Sequence, residues 1–145
     1  MILRPATSDD APAMAAILFE CFRVSLPFLP QLHTVEENAR FITGVLMPQH
    51  EVWVGEDAAG VAGYVAFRPG RIQHLYVHPR AQAQGIGPRL LDKAMEDGAP
   101  KDLWTFQAND RARRFYEARG FKPVEFTDGA GNEEKTPDVR YLWEP

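Results

Sequence analysis

The stretch Val77-His78-Pro79-Arg80-Ala81-Gln82-Ala83-Gln84-Gly85-Ile86-Gly87-Pro88-Arg89-Leu90-Leu91 decides the fold. It leaves a strand-like run, Ile72 to His78, which Pro79 ends. It then opens a helical run over about 85–96, carrying Ile86, Leu90, Leu91, Ala94 and Met95 at helical spacing. Pro88 falls in the first turn, where a missing N–H costs little. The first amides of a helix have no internal acceptor and sit at the positive end of its dipole. Glycines let a ligand approach such amides closely. Strand, Gly-containing loop and helix start therefore make an anion site suited to phosphate. A dinucleotide fingerprint would need a third glycine where Leu90 stands, and a P-loop would need a Gly-Lys-Ser/Thr that is absent. A plain strand-to-helix turn with helpful glycines is the remaining alternative.

Outward from this loop, the chain alternates between two periods. Residues 2–5 read as a short strand. Thr7 and Asp10, then Thr34 and Glu37, have capping-box spacing. They start helices over about 9–24 and from 34 to just before Pro48, with apolar stripes Met14, Ile17, Leu18, Cys21 and Phe41, Ile42, Val45, Leu46. Three strand-like runs follow, 51–56, 61–67 and 72–78, joined by turn-like Asp57-Ala58-Ala59-Gly60 and Pro69-Gly70. After the helix at 85–96 come a strand at 103–107, a helix at 110–119 capped by Asn109 and closed by Gly120, and strands at 121–126 and 139–143. The order β-α-α-β-β-β-α-β-α-β-β predicts an α/β (α+β) fold. Its sheet is mixed and mostly antiparallel, of about seven strands, with four flanking helices.

The chain has 145 residues, 45% hydrophobic and 25% charged, which suits a single domain over 1–145. A net charge of −4 argues against a general nucleic-acid partner. The single cysteine, Cys21, forms no intramolecular disulfide, and it lies on an apolar stripe as a small buried hydrophobe would. The N-terminus lacks a signal peptide's apolar core, and no run is long enough to span a membrane. These features predict a cytoplasmic protein with no membrane partner; a homodimer stays open.

The loop resembles the acyl-CoA signature of the GNAT superfamily of N-acetyltransferases, Q/R-x-x-G-x-G/A, matched by Gln82, Gly85 and Gly87. Asn109-x-x-Ala112-x-x-Phe115-Tyr116-x-x-x-Gly120-Phe121 is similar to that family's closing motif. With the element order, the likeness covers essentially the whole chain. It implies an acetyltransferase that moves an acetyl group from acetyl-CoA, its co-substrate, to an amine of a small molecule or peptide, without a metal. A non-catalytic acyl-CoA-binding sensor or interaction module is the alternative. By resemblance, the pantetheine arm lies along Leu75, Tyr76 and Val77, with the backbone of Leu75 and Val77 pairing its amides. The pyrophosphate rests on Gln82, Ala83, Gln84, Gly85, Ile86 and Gly87. Asn109 contacts the pantetheine or caps its helix. Tyr116 stands near the thioester sulfur as the acid.

The base is harder to assign. Many family members carry a Glu at the start of the fourth strand, and here that position is Arg71. His74, on the same strand, has suitable basicity; it also fits a hydrogen-bonded histidine on a sheet face. Its spacing to His78, without cysteine partners, is a poor metal pattern. Arg111, Arg113, Arg114 and Arg119 form a basic cluster. Arg113 is the candidate for the CoA 3′-phosphate, and a solvated helix face is the competing reading. The polar loop 128–138, with Glu133, Glu134 and Asp138, is either an acceptor-binding element or a solvent loop, and Phe28 and His33 belong to the same expectation.

Overall fold

The computed structural model describes residues Met1–Pro145. Seven strands form one sheet: β1 (Ile2–Pro5), β2 (Glu51–Asp57), β3 (Gly60–Arg68), β4 (Arg71–Val77), β5 (Lys101–Phe106), β6 (Lys122–Phe126) and β7 (Asp138–Trp143), ordered β1-β2-β3-β4-β5-β7-β6. Helices are α1 (Ala11–Glu20), α2 (Val35–Phe41), α3 (Ile86–Ala94) and α4 (Asp110–Glu117). The pairings β1–β2, β2–β3, β5–β7 and β6–β7 are antiparallel and β4–β5 is parallel, so the expected mixed sheet is present.

By backbone contacts the chain forms two compact units, Met1–Arg68 with Ile72–Asp97, and Pro69–Arg71 with Gly98–Pro145. In the first, α1 and α2 bury one face of β2 and β3: Met14, Ile17, Ile42 and Leu46 pack with Val54, Tyr64 and Ala66. The other face receives α3. A Cβ added to Gly63 would lie 3.1 Å from Leu90 Cδ1, 3.2 Å from Ile86 Cγ2 and 3.0 Å from the Tyr76 carbonyl. Such contacts are tighter than nearly all that a Cβ makes, so glycine here favours the close approach of α3. Buried Asp10 secures the first connection, accepting from Arg4 Nη1 at 2.8 Å and the Thr7 amide at 2.8 Å.

The first helix ends close to its expected end, and the second runs past its own. α1 continues as a π turn, Cys21–Ser25, and α2 as another, Ile42–Leu46, followed by Met47–Gln49. Pro48 therefore does not stop the second helix. The wider π turn removes the i−4 carbonyl from the ring's path, and Pro48 opens a final turn where its missing donor is harmless.

In the second unit, Asp102 joins the Pro69–Arg71 turn to β7. It accepts from Arg71 Nε at 2.8 Å and Nη2 at 2.7 Å, and from Arg140 Nε at 2.7 Å. The polar loop 128–138 is tied down: the Thr127 hydroxyl donates to the Asp138 carboxylate, and Asn132 Nδ2 donates to the Thr136 carbonyl at 2.7 Å.

Candidate active site

The loop between β4 and α3 is shaped by two left-handed residues, Ala83 at φ 65° and Gly85 at φ 84°. The second is the N-cap of α3. This turns the chain so that α3 starts at Ile86, where the first amides of a helix have no acceptor within it. Ile86 itself points inward, 2% exposed, against Gly55 and Gly63. Any contact of Ile86 with a ligand at this loop is confined to its backbone. Ala83, Gln84 and Gly85 are exposed.

The side chain of Gln82 turns back toward the strand. Its Nε2 donates to the Val77 carbonyl at 3.2 Å and approaches Ser25 Oγ at 3.4 Å. The Cys21 thiol donates to the same Val77 carbonyl at 3.1 Å. That carbonyl is thus committed inside the protein, and only the N–H of Val77 is left for a ligand. The sequence carried no signal of this. The His78 amide donates to Ala62 at 2.8 Å, and along a strand successive residues bond to opposite edges. His78, Tyr76 and His74 therefore face β3, while Leu75 and Val77 turn their backbone groups to the other edge. The β4–β5 register consists of one pair, Arg71 with Asp102, so at Leu75 and Val77 that edge carries no register partner.

His74 is packed among rings. Its Nδ1 lies 3.0 Å from the Tyr64 hydroxyl, and its ring stacks on Phe41 at 5.9 Å. Burial, with a smaller contribution from His50, lowers its pKa to about 4. The imidazole is neutral at pH 7 and a weak base. Arg71 is bound to Asp102, whose carboxyl is held below the usual range by that guanidinium. A salt-bridged arginine cannot accept a proton.

The second unit holds the other expected residues. Asn109 caps α4, its side-chain oxygen accepting from the Ala112 amide at 3.2 Å. The far end closes with a Schellman motif. The Phe121 amide donates to the Tyr116 carbonyl at 3.1 Å, the Gly120 amide to Glu117 at 3.2 Å, and Gly120 is left-handed at φ 89°. The accompanying apolar contact is Tyr116 against Phe121, ring centroids 5.4 Å apart. Tyr116 is thus fixed by the helix end itself. Burial pushes its phenol well above the ordinary range, so it is protonated at neutral pH. Arg113 donates from Nε to the Tyr141 hydroxyl at 2.9 Å and from Nη1 to the Gln107 carbonyl at 3.2 Å. Tyr141 in turn donates to Glu117. Arg113 therefore spends two of its nitrogens inside the protein.

On a mixed sheet, β4 runs through a Gly-containing loop into α3, the arrangement expected of an acyl-CoA-dependent acetyltransferase. The chain matches the family model of the acetyltransferase (GNAT) domain over residues 48–123. It is 30% identical to a probable N-acetyltransferase of Mycobacterium tuberculosis, over 82% of this chain and 78% of that protein. It is 25% identical to the peptidyl-lysine N-acetyltransferase YiaC of Escherichia coli, over 86% and 85%. In fold it is similar to YjaB from Escherichia coli (TM-score 0.80, 17% identity, 99% and 98% covered). A second fold neighbour is yncA from Salmonella typhimurium, solved with acetyl-CoA (TM-score 0.75, 17% identity, 99% and 92% covered). The chain belongs to the GNAT family. It is an acyl-CoA-dependent N-acetyltransferase, and acetyl transfer rather than a binding-only role is its activity.

Proposed function

We propose that residues 1–145 act as one N-acetyltransferase domain that carries acetyl from acetyl-CoA to the primary amine of a small molecule or peptide. The family segment 48–123 takes in residues of both compact units, which supports treating them as one functional domain. The observation that carries the donor reading is the pair of left-handed residues, Ala83 and Gly85, which turn the chain from β4 into the start of α3; the reading takes the free first amides of that helix as the anion site.

The pyrophosphate is assigned to the backbone of residues 82–87, and the pantetheine amides to Leu75 and the N–H of Val77. Tyr76 lies between those two residues and supplies a side chain on the opposite face of the strand. In the reaction, the free amine attacks the thioester carbonyl carbon. The new C–N bond forms, the C–S bond breaks, and the CoA sulfur leaves with the electron pair. A strand N–H donating to the carbonyl oxygen would stabilise the negative charge that develops there. Tyr116 is the proposed donor of a proton to the sulfur. Its phenol is held protonated, and a thiolate leaving into dry surroundings gains basicity by the same desolvation.

The proton lost by the amine goes to water, directly or along a chain, and water returns a proton to the Tyr116 phenolate as the thiol departs. Arg71 is excluded by its ion pair, and His74 is too weak a base to hold it. The CoA 3′-phosphate keeps Arg113 as its candidate through the nitrogen not spent on Tyr141 and Gln107. Asn109 serves primarily as the cap of α4.

The test is release of CoA thiol from acetyl-CoA across an amine panel, alongside thermal denaturation with the donor alone. At 100 times its dissociation constant, acetyl-CoA should add about 2.7 kcal/mol of stability. An unmoved melting temperature at millimolar donor, with no thiol released, would refute the assignment of the loop.

A further inference from the structure

Four rings of the first unit follow one another. Phe22, in the π turn after α1, lies 6.3 Å from Tyr76. Tyr76 meets His74 edge-on at 5.2 Å. His74 stacks on Phe41 at 5.9 Å with 28° between the planes. Phe41 is 39% exposed, and the other three are half-buried. His74 and Tyr76 alternate along β4 and so share one of its faces. The row runs from the end of α1 to α2 across that face.

The neighbouring stretch of sequence supplies half of the chain's large exposed hydrophobic residues. Of the ten large hydrophobic residues left exposed, five, namely Val24, Phe28, Leu32, Phe41 and Val45, lie between 24 and 45. Of these, Phe41 combines its exposure with a stacking contact to His74, so the row opens to solvent at its α2 end. The carboxylates nearest these rings in sequence are engaged, Glu20 by Arg23 Nη2 at 2.7 Å and Glu37 by the Thr34 amide at 3.0 Å. A second or third cation would lose hydration against the rings and find no uncommitted counter-charge among them. Aromatic rings, by contrast, stack favourably on half-exposed rings in offset or edge-on geometry.

We propose that this row is the acceptor wall, and that the acceptor is a small primary amine carrying an aryl group. The inference rests on the donor reading above, because Leu75 and Val77 bring the thioester to the strand that carries His74 and Tyr76. The aryl group lies against Phe41 and His74, and its amine end is directed along β4 to the acetyl carbon. His74 is then a specificity residue: its neutral ring is a stacking surface held in place by Tyr64.

The test compares phenethylamine and tryptamine with spermidine and a lysine peptide, all with the full chain and acetyl-CoA. The aryl amines are expected to show kcat/KM at least about tenfold above the other two, the scale on which apolar pockets discriminate. Phe41→Ala should lower kcat/KM for phenethylamine about tenfold through KM. The melting-temperature shift given by acetyl-CoA should stay as in the parent chain, and Phe41→Leu should recover part of the loss. Preference for spermidine or the peptide overturns the inference, as does an unaltered KM in Phe41→Ala or a panel with no aryl amine turned over. Concentration-dependent self-association abolished by Phe41→Ala would also overturn it, assigning the row to a second copy of the chain. An absent acetyl-CoA shift in the parent chain brings down the donor reading as well; a normal shift without aryl preference brings down this inference alone.

Discussion

Arg71 and Asp102 close a two-point ion pair, Nε to Oδ1 at 2.8 Å and Nη2 to Oδ2 at 2.7 Å, at the one place where β4 and β5 share register. The carboxylate is buried and also serves Arg140. Removing its charge leaves two guanidinium groups facing a neutral amide. Each arginine is a third exposed, so water softens the loss. Asp102→Asn should cost about 2 kcal/mol, less than a fully buried pair would. A urea midpoint equal to that of the parent chain would show that the pair is incidental.

A second carboxylate ties stability to pH. Asp10 is held below its ordinary value of 3.8, first by the hydrogen bonds from Arg4 and then by the Thr7 amide. A depressed folded-state pKa means that its contribution is fully present above pH 3.8 and disappears as pH falls through the lower, folded value. Asp102 behaves in the same direction. Melting temperature should therefore fall on acidification below about pH 4. Asp10→Asn should flatten that fall while lowering stability at pH 7. An acid limb of unchanged steepness in the variant would remove Asp10 from the linkage.

Much of this architecture was legible because local signals and the long-range fold agree. The capping box at Thr34 is formed in both directions, Glu37 amide to Thr34 Oγ1 at 3.1 Å and Thr34 amide to Glu37 Oε1 at 3.0 Å. Gly120 is left-handed as its place after a helix required. What escaped the sequence is non-local. Nothing near Val77 in the chain announces that Cys21, 56 residues earlier, donates to its carbonyl. Gly63 looked like an ordinary strand residue, and its meaning depends on α3 arriving from more than 20 residues away. Pro48 signals a stop in the sequence because the π turn before it has no sequence signature. Arg71 stands out in the sequence at its position, but its partner Asp102, and the Arg140 that shares that carboxylate, come from strands with no local link to it.

The loop assignment can be tested without steric blockage. A Cβ on Gly85 would meet nothing within 4 Å, yet the residue sits at φ 84°. Gly85→Ala therefore challenges the backbone conformation alone, at a cost of about 1 kcal/mol. If the αL turn is what aims the amides of α3, the variant should keep its fold and lose most of the acetyl-CoA-induced rise in melting temperature. Gly87→Val should weaken the donor too, by placing bulk in the first turn. Donor affinity undiminished in both would locate the pyrophosphate elsewhere.

Tyr116 offers the cleanest separation of chemistry from structure. Its ring is held against Phe115 at 5.2 Å and Phe121 at 5.4 Å, and its backbone carbonyl closes the Schellman motif. Phenylalanine preserves each of these contacts and deletes only the hydroxyl. Stability and the acetyl-CoA shift should therefore be nearly those of the parent chain. If the hydroxyl protonates the departing sulfur, the turnover number should fall by about 10²–10⁴, the usual worth of a positioned proton donor. Burial raises the phenol's pKa, so the protonated form persists through neutral pH, and loss of that proton cannot produce a decline in rate between pH 6 and 9. A decline in that range belongs to another group. A Tyr116→Phe enzyme with an undiminished turnover number would leave the sulfur to depart as a bare thiolate, and Tyr116 would be a packing residue at the end of α4.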